Sequence, residues 1–236
     1  MARHDGRRSN ELRPVKMTRR YIRNAEGSVL IEMGSTRVVC TATVEDTVPH
    51  FLRGTGKGWI TAEYGMIPRS SASRIPRESI RGRVKGRTHE IQRMIGRALR
   101  AVADLEALGE RTVIIDCDVI EADGGTRTAS ITGGFVALAD ALRASGLDDA
   151  ALRGYVAAVG VGLVGGKALL DLDYSEDSTA EVDMNFVMDG ESRYIEIQGT
   201  AEGRVFGEDE LERMKALAKS GVKRLVAIQK NALGRK

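Results

Sequence analysis

The chain has 236 residues, 42% apolar and 29% charged; it is long enough to bury a core without staples and has no run near the ~18 apolar residues of a membrane span. Polar residues follow Met1 with no apolar stretch behind them, so no secretory leader is expected, and the isolated Cys40 and Cys117 read as buried free thiols in a reducing cytoplasm. The net charge of +3 conceals a split: residues 1–100 carry 21 Lys/Arg against 9 Asp/Glu (+12) and residues 101–236 carry 15 against 24 (−9), which draws a polyanion to the first part and a cation to the second.

In chain order, residues 1–20 are basic and read as partly extended. Ser28–Met33 and Thr36–Val44 are rich in β-branched residues and flank Gly34-Ser35, a hairpin signal. Glu45–Gly58 is a loop. Its Gly56-Lys57 is no P-loop, because Gly58 stands where Ser or Thr is needed and Phe51 replaces the first glycine. Trp59–Ile67 reads as a strand and Pro68–Gly86 as an Arg-rich connection. Apolar residues at three- and four-residue spacings predict a helix from Thr88 to Leu108, stopped by Gly109. Thr112–Ile120 is a strand, followed by an amphipathic helix with Ile131, Phe135, Leu138 and Leu142 on one stripe. Hairpins are expected around Gly165-Gly166 and Asp189-Gly190. Glu208–Lys219 and Val222–Ala232 read as two helices. Hairpins followed by helices in both halves predict a two-layer α/β (α+β) fold with mixed sheets, and no linker divides residues 1–236 into separate domains.

Three constellations carry chemistry. The first is Gly124-Gly125-Thr126-Arg127, between a strand and a helix. Paired glycines let backbone N–H groups converge on an anion at the positive end of the helix, with a hydroxyl and a guanidinium beside them. The second is the run Arg69, Arg74, Arg77, Arg81, Arg83, Lys85 and Arg87, interrupted by one acid, Glu78. Arginine six times in seven favours bidentate recognition of phosphates over a merely solvated loop. The third is acidic: Asp171, Asp173, Glu176, Asp177, Glu181 and Asp183, within about 167–188. Like charges ~4 Å apart cost about 4 kcal/mol at an effective dielectric near 20, so clustering them calls for a cation, and oxygen ligands alone point to Mg²⁺ or Mn²⁺. Phosphate donors, a divalent cation and a basic track compose a phosphoryl-transfer site for nucleic acid. Three scattered histidines supply neither a zinc site nor a Ser-His-Asp triad.

The segments Trp59–Arg69, Gly86–Arg93, Asp123–Thr128, Leu172–Asp177 and Val182–Asn185 closely resemble the bacterial ribonuclease PH family, in the same order and over nearly the whole chain. The resemblance implies a single ribonuclease PH-type domain over 1–236, built from two β-α halves like the second domain of ribosomal protein S5. It implies a cytoplasmic 3′-to-5′ exoribonuclease that trims tRNA precursors with inorganic phosphate as co-substrate, releases nucleoside 5′-diphosphates, runs in reverse to add nucleotides, and assembles as a homohexamer from three dimers. By this resemblance Arg87, Gly125, Thr126 and Arg127 bind phosphate, Asp177 and Asp183 hold the metal and assist the leaving group, and Arg69, Arg74 and Arg77 guide RNA. Asn185 stands where related polynucleotide phosphorylases carry lysine. The alternative is a catalytically silent RNA-binding ring subunit of an exosome-like assembly.

Overall fold

A computed structural model describes residues 3–82, 84–147, 150–202 and 204–234. The first sheet contains β1 (Val15–Arg19), β2 (Gly27–Met33), β3 (Thr36–Glu45), β4 (Trp59–Met66) and β5 (Thr112–Glu121), in the order β1-β2-β3-β5-β4. Period-two alternation turns Val29, Ile31 and Met33 inward opposite Val38, Cys40 and Ala42, all fully buried. Only β4 and β5 pair in parallel, with Trp59 beside Thr112. A parallel pair needs a crossover, and here it is α1 (Gly86–Arg100) with the short α2 (Leu105–Leu108). From β5 the chain enters α3 (Thr126–Ala144). The second sheet follows: β6 (Val156–Val164), β7 (Lys167–Leu170), β8 (Val182–Asp189) and β9 (Tyr194–Ala201), ordered β7-β6-β8-β9 and wholly antiparallel. The one-turn α4 (Tyr174–Asp177) joins β7 to β8, and α5 (Glu208–Leu233) ends the described chain.

Helix α3 touches β2 and β3 of the first sheet and β6 of the second, and α5 covers β6 and β7. One apolar cluster therefore runs from Val29 to Leu233 through both sheets. This explains why α3 is not the one-striped helix its apolar spacing predicts: every residue from Thr128 to Leu142 is buried. Its small residues permit this, and β2 comes so close that a Cβ on Gly27 would lie 1.9 Å from the Ala137 carbonyl oxygen. No described helix is long and apolar enough to cross a membrane.

Two other expectations are corrected. The helix expected over Thr88–Leu108 stops at Arg100. Asp104 is extended, gives its N–H to the Ala151 carbonyl, and accepts the Glu106 and Ala107 amides at 3.0 Å, so it starts a second helix. The two C-terminal helices are one, because Gly221 remains helical and lets Leu170 of β7 approach. The hairpin expected around Asp189-Gly190 is present, joining β8 to β9. The Asp189 carboxylate gathers the Glu191 and Arg193 amides, and the chain reverses across 190–193.

Candidate active site

The strand-to-helix elbow after β5 can form only with glycine. Gly124 and Gly125 have φ of 73° and 65°, in the left-handed region, and a Cβ on Gly124 would lie 2.6 Å from the Leu172 carbonyl oxygen. Gly125 is the N-cap of α3, and no side chain caps the first amides of that helix. These amides open with the Thr126 and Arg127 side chains into a cleft of about 650 Å³. Thr126 Oγ1 lies 2.8 Å from the Tyr64 hydroxyl on β4. Burial pushes the Tyr64 phenol up, an effect its Thr126 hydrogen bond opposes. Arg127 donates to Gln198 of β9 at 2.9 Å, and Gln198 in turn donates to Glu90 of α1.

Arg87 reaches the same cleft from the first turn of α1. The approach to that turn is held by Glu78, whose carboxylate accepts the Lys85 amide at 3.2 Å and the Thr88 hydroxyl at 2.9 Å. Opposite, α4 and β8 bring in Asp177 and Asp183. Neither carboxylate accepts a hydrogen bond or forms an ion pair among the described residues, although both are partly buried. Burial raises Asp177, with Arg127 and Arg87 pulling the other way. Burial first, and then the charge of Asp177, pushes Asp183 up to about 6. Two unsatisfied carboxylates, both raised by burial and one also by the charge of the other, fit a hard divalent cation, and Mg²⁺ binds through one or two carboxylates together with substrate phosphates. Asn185 and Glu202 complete that wall.

The rest of the acidic constellation serves the fold instead. Asp171 pairs with Arg13 at 2.7 Å. Glu176 pairs with Arg3 at 2.5 Å. Asp173 caps α4 through the Ser175 and Glu176 amides and meets His4 at 2.7 Å. Although burial pushes Asp173 up, hydrogen bonds from Ser175, Glu176 and His4 hold it down at about 2. His4, Asp173 and Glu176 converge closely enough to suggest a cation site, but the Arg3 pairing and the capping contacts already occupy the two acids. Glu181 pairs with Arg204. The sequence showed these acids but not their partners, which lie in the distant N-terminal segment or beyond β9.

The structure thus brings Arg87, Gly125, Thr126, Arg127, Asp177 and Asp183 to one cleft. Arg69, Arg74 and Arg77 do not line it. They are exposed on the connection before α1, which contributes Ser71 to the cleft edge, and none has a hydrogen bond or ion pair among the described residues. Arg83 lies outside the described residues, as does the side chain of Arg81. Sequence reasoning missed Tyr64, Glu90, Gln198, Glu202 and the elbow's supports Arg13 and Thr36; no spacing pattern links them to the site.

Three solved structures share this fold: rice (Oryza sativa) Rrp46, at a TM-score of 0.79 and 20% identity over 98% of this chain and 100% of that one; an Archaeoglobus fulgidus exosome with RNA bound to the active site, at 0.80 and 22% over 95% and 91%; and an archaeal exosome core, at 0.77 and 21% over 97% and 91%. Family models for the 3′ exoribonuclease family match as domain 1 over residues 11–144 and domain 2 over 154–221. With both models matched in order, on either side of a cleft that combines phosphate donors with paired carboxylates, the chain belongs to the 3′ exoribonuclease family of the RNase PH type.

Proposed function

We propose that the protein is a phosphorolytic 3′-to-5′ exoribonuclease, a tRNA nucleotidyltransferase of the bacterial ribonuclease PH kind, which trims the 3′ ends of tRNA precursors. Orthophosphate attacks the terminal phosphodiester phosphorus. The bond from phosphorus to the O3′ of the preceding nucleotide breaks with its electron pair, that oxygen takes a proton, and a nucleoside 5′-diphosphate leaves. Reversal adds a nucleotide. The observation that carries this reading is the placement of Arg87, the Gly125–Arg127 elbow and the unpartnered Asp177 and Asp183 around one cleft.

A hydrolase only has to position water, whereas here one anion must approach another. Arg87 and Arg127 offset that repulsion, and the first α3 amides orient the incoming phosphate. Mg²⁺ or Mn²⁺, when bound between Asp177 and Asp183, supplies charge stabilisation at the phosphoryl oxygens. The exposed arginines at 69, 74 and 77 lead RNA toward the cleft. A cytoplasmic homohexamer of three dimers belongs to the same proposal. The rival is a silent RNA-binding ring subunit, favoured by the shared fold with exosome subunits. The retained acid pair and phosphate donors favour the enzyme.

Purified protein incubated with a 3′-extended tRNA precursor, Mg²⁺ and phosphate tests the choice. Nucleoside diphosphates released only when phosphate is present are expected. Monophosphates would mean hydrolysis, and no product a silent subunit. In the same assay Arg87→Ala is expected to raise the half-saturating phosphate concentration by about tenfold to a hundredfold, the loss of one charge-assisted hydrogen bond. An unchanged phosphate dependence removes Arg87 from the seat.

A further inference from the structure

Arg13 lies behind the cleft rather than in it, with its side chain only 4% exposed. Its guanidinium joins two segments that both line the site. Toward one, Nε and one terminal nitrogen donate to the Asp171 carboxylate at 3.1 and 2.7 Å, and the Arg13 amide adds a third bond to the same group at 2.8 Å. Toward the other, the guanidinium donates to the Asp123 carbonyl and, at 3.5 Å, to the Gly124 carbonyl. Thr36 grips that elbow too, donating to the Gly124 carbonyl at 2.7 Å and accepting the Asp123 amide at 2.9 Å. A side chain on Gly125 would meet the guanidinium at 3.0 Å.

Asp171 also holds a left-handed backbone, φ 54°, which a non-glycine residue keeps only when its surroundings dictate it. From Asp171 the chain runs through Leu172 and Asp173 directly into α4 and Asp177. The Gly124 elbow presses on the backbone of this same stretch. A buried ion pair is by itself a weak source of stability, since desolvation offsets the attraction. The planar fork of arginine adds something else: two directions of hydrogen bonding fixed relative to each other.

We propose that Arg13 is a positioning residue that couples the phosphate seat to the carboxylates of the cation site, so that filling one strengthens binding at the other. This rests on the reading of the cleft given above. Lysine at position 13 keeps the charge but cannot hold Asp171 and the two elbow carbonyls in one plane.

The test is calorimetric titration of the full-length protein with inorganic phosphate, with and without saturating Mg²⁺, in wild type and Arg13→Lys, with thermal melting of each. In wild type Mg²⁺ is expected to tighten phosphate binding by about tenfold, within the range of ordinary coupling between sites. In Arg13→Lys the enhancement is expected to shrink to about twofold or less while the variant still melts cooperatively. Should Arg13→Lys not fold, Asp171→Asn, which keeps the shape and loosens the same clasp, receives the same titration. A wild-type enhancement that survives undiminished in the folded variant overturns the inference, even if both affinities fall together. So does a wild type whose phosphate affinity ignores Mg²⁺. In either case the reading of the cleft stands. A wild type that binds no phosphate in either titration overturns the cleft reading and this inference with it.

Discussion

Burial and the neighbouring charge of Asp177 raise the Asp183 carboxyl from 3.8 to about 6. The folded protein therefore holds a proton at Asp183 that the unfolded chain has released between those two values. For a raised carboxyl, stability is greatest below the unfolded value and is lost as pH climbs through the folded one. Without divalent cations, wild type is expected to lose stability relative to Asp183→Asn as pH rises from 4 to 7, and Mg²⁺ is expected to restore it at pH 7, because metal and proton compete for the same oxygens. Melting curves of the two proteins check this; parallel curves across that range would sink it. Asp183→Asn is also expected to fold normally and to lose trimming activity by at least about a hundredfold. At this scale the cleft elbow was legible because Gly125, Thr126 and Arg127 are contiguous and their chemistry is local. Asp171, Asp173 and Glu176 were misread because an acid's role depends on its partner. Arg13, Arg3 and His4 reach them only after folding.

Helix α3 is the element that most departs from its one-dimensional pattern. A single apolar stripe implies one covered face, yet both sheets close on it and no face is left to solvent. Small residues make this possible, and the tightest point is Gly27, where a methyl would fall 1.9 Å from the Ala137 carbonyl and 2.7 Å from the Ala141 amide nitrogen. Both obstacles are backbone, which cannot turn aside. Gly27→Ala is therefore expected to destabilise the protein by about 3 kcal/mol or more, at the upper end of overpacking costs, although strands ordinarily favour alanine over glycine. Denaturant melts measure this directly, and a change below about 1 kcal/mol would mean that β2 can shift away from α3. Elements with strict periodicity, such as β2, β3 and β5, were read correctly from the sequence. The break after Arg100 and the continuity of α5 through Gly221 were not, because Ala151 and Leu170 decide them from elsewhere in the chain.

Across the whole molecule, the connection between β4 and α1, which borders the cleft, contributes six Lys/Arg against one Glu to the +12 charge of the first hundred residues. Arg69, Arg74 and Arg77 are exposed there without partners among the described residues. Ion pairs do not offset these charges, so they are free to meet phosphates, and RNA affinity is expected to fall linearly with the logarithm of salt. Removing two phosphate contacts in an Arg74→Ala, Arg77→Ala double variant is expected to reduce that slope by about 1.4 for single-stranded RNA. Fluorescence anisotropy with a labelled tRNA 3′ end across a salt series measures it; an unchanged slope would place the RNA track on another face.

The sequence by itself determined strands β2 to β9 and their hairpins, the basic and acidic halves, and the diglycine elbow. Each of these depends on neighbours within a few positions, where backbone periodicity and side-chain chemistry operate. Only the tertiary structure decided which acids stay unpaired at the cleft and which are neutralised by the N-terminal arginines. It also decided that α3 is enclosed and that one guanidinium joins two segments that line the site. Those outcomes depend on contacts between residues more than a hundred positions apart, which only the packing of one sheet's helices against the other sheet brings together.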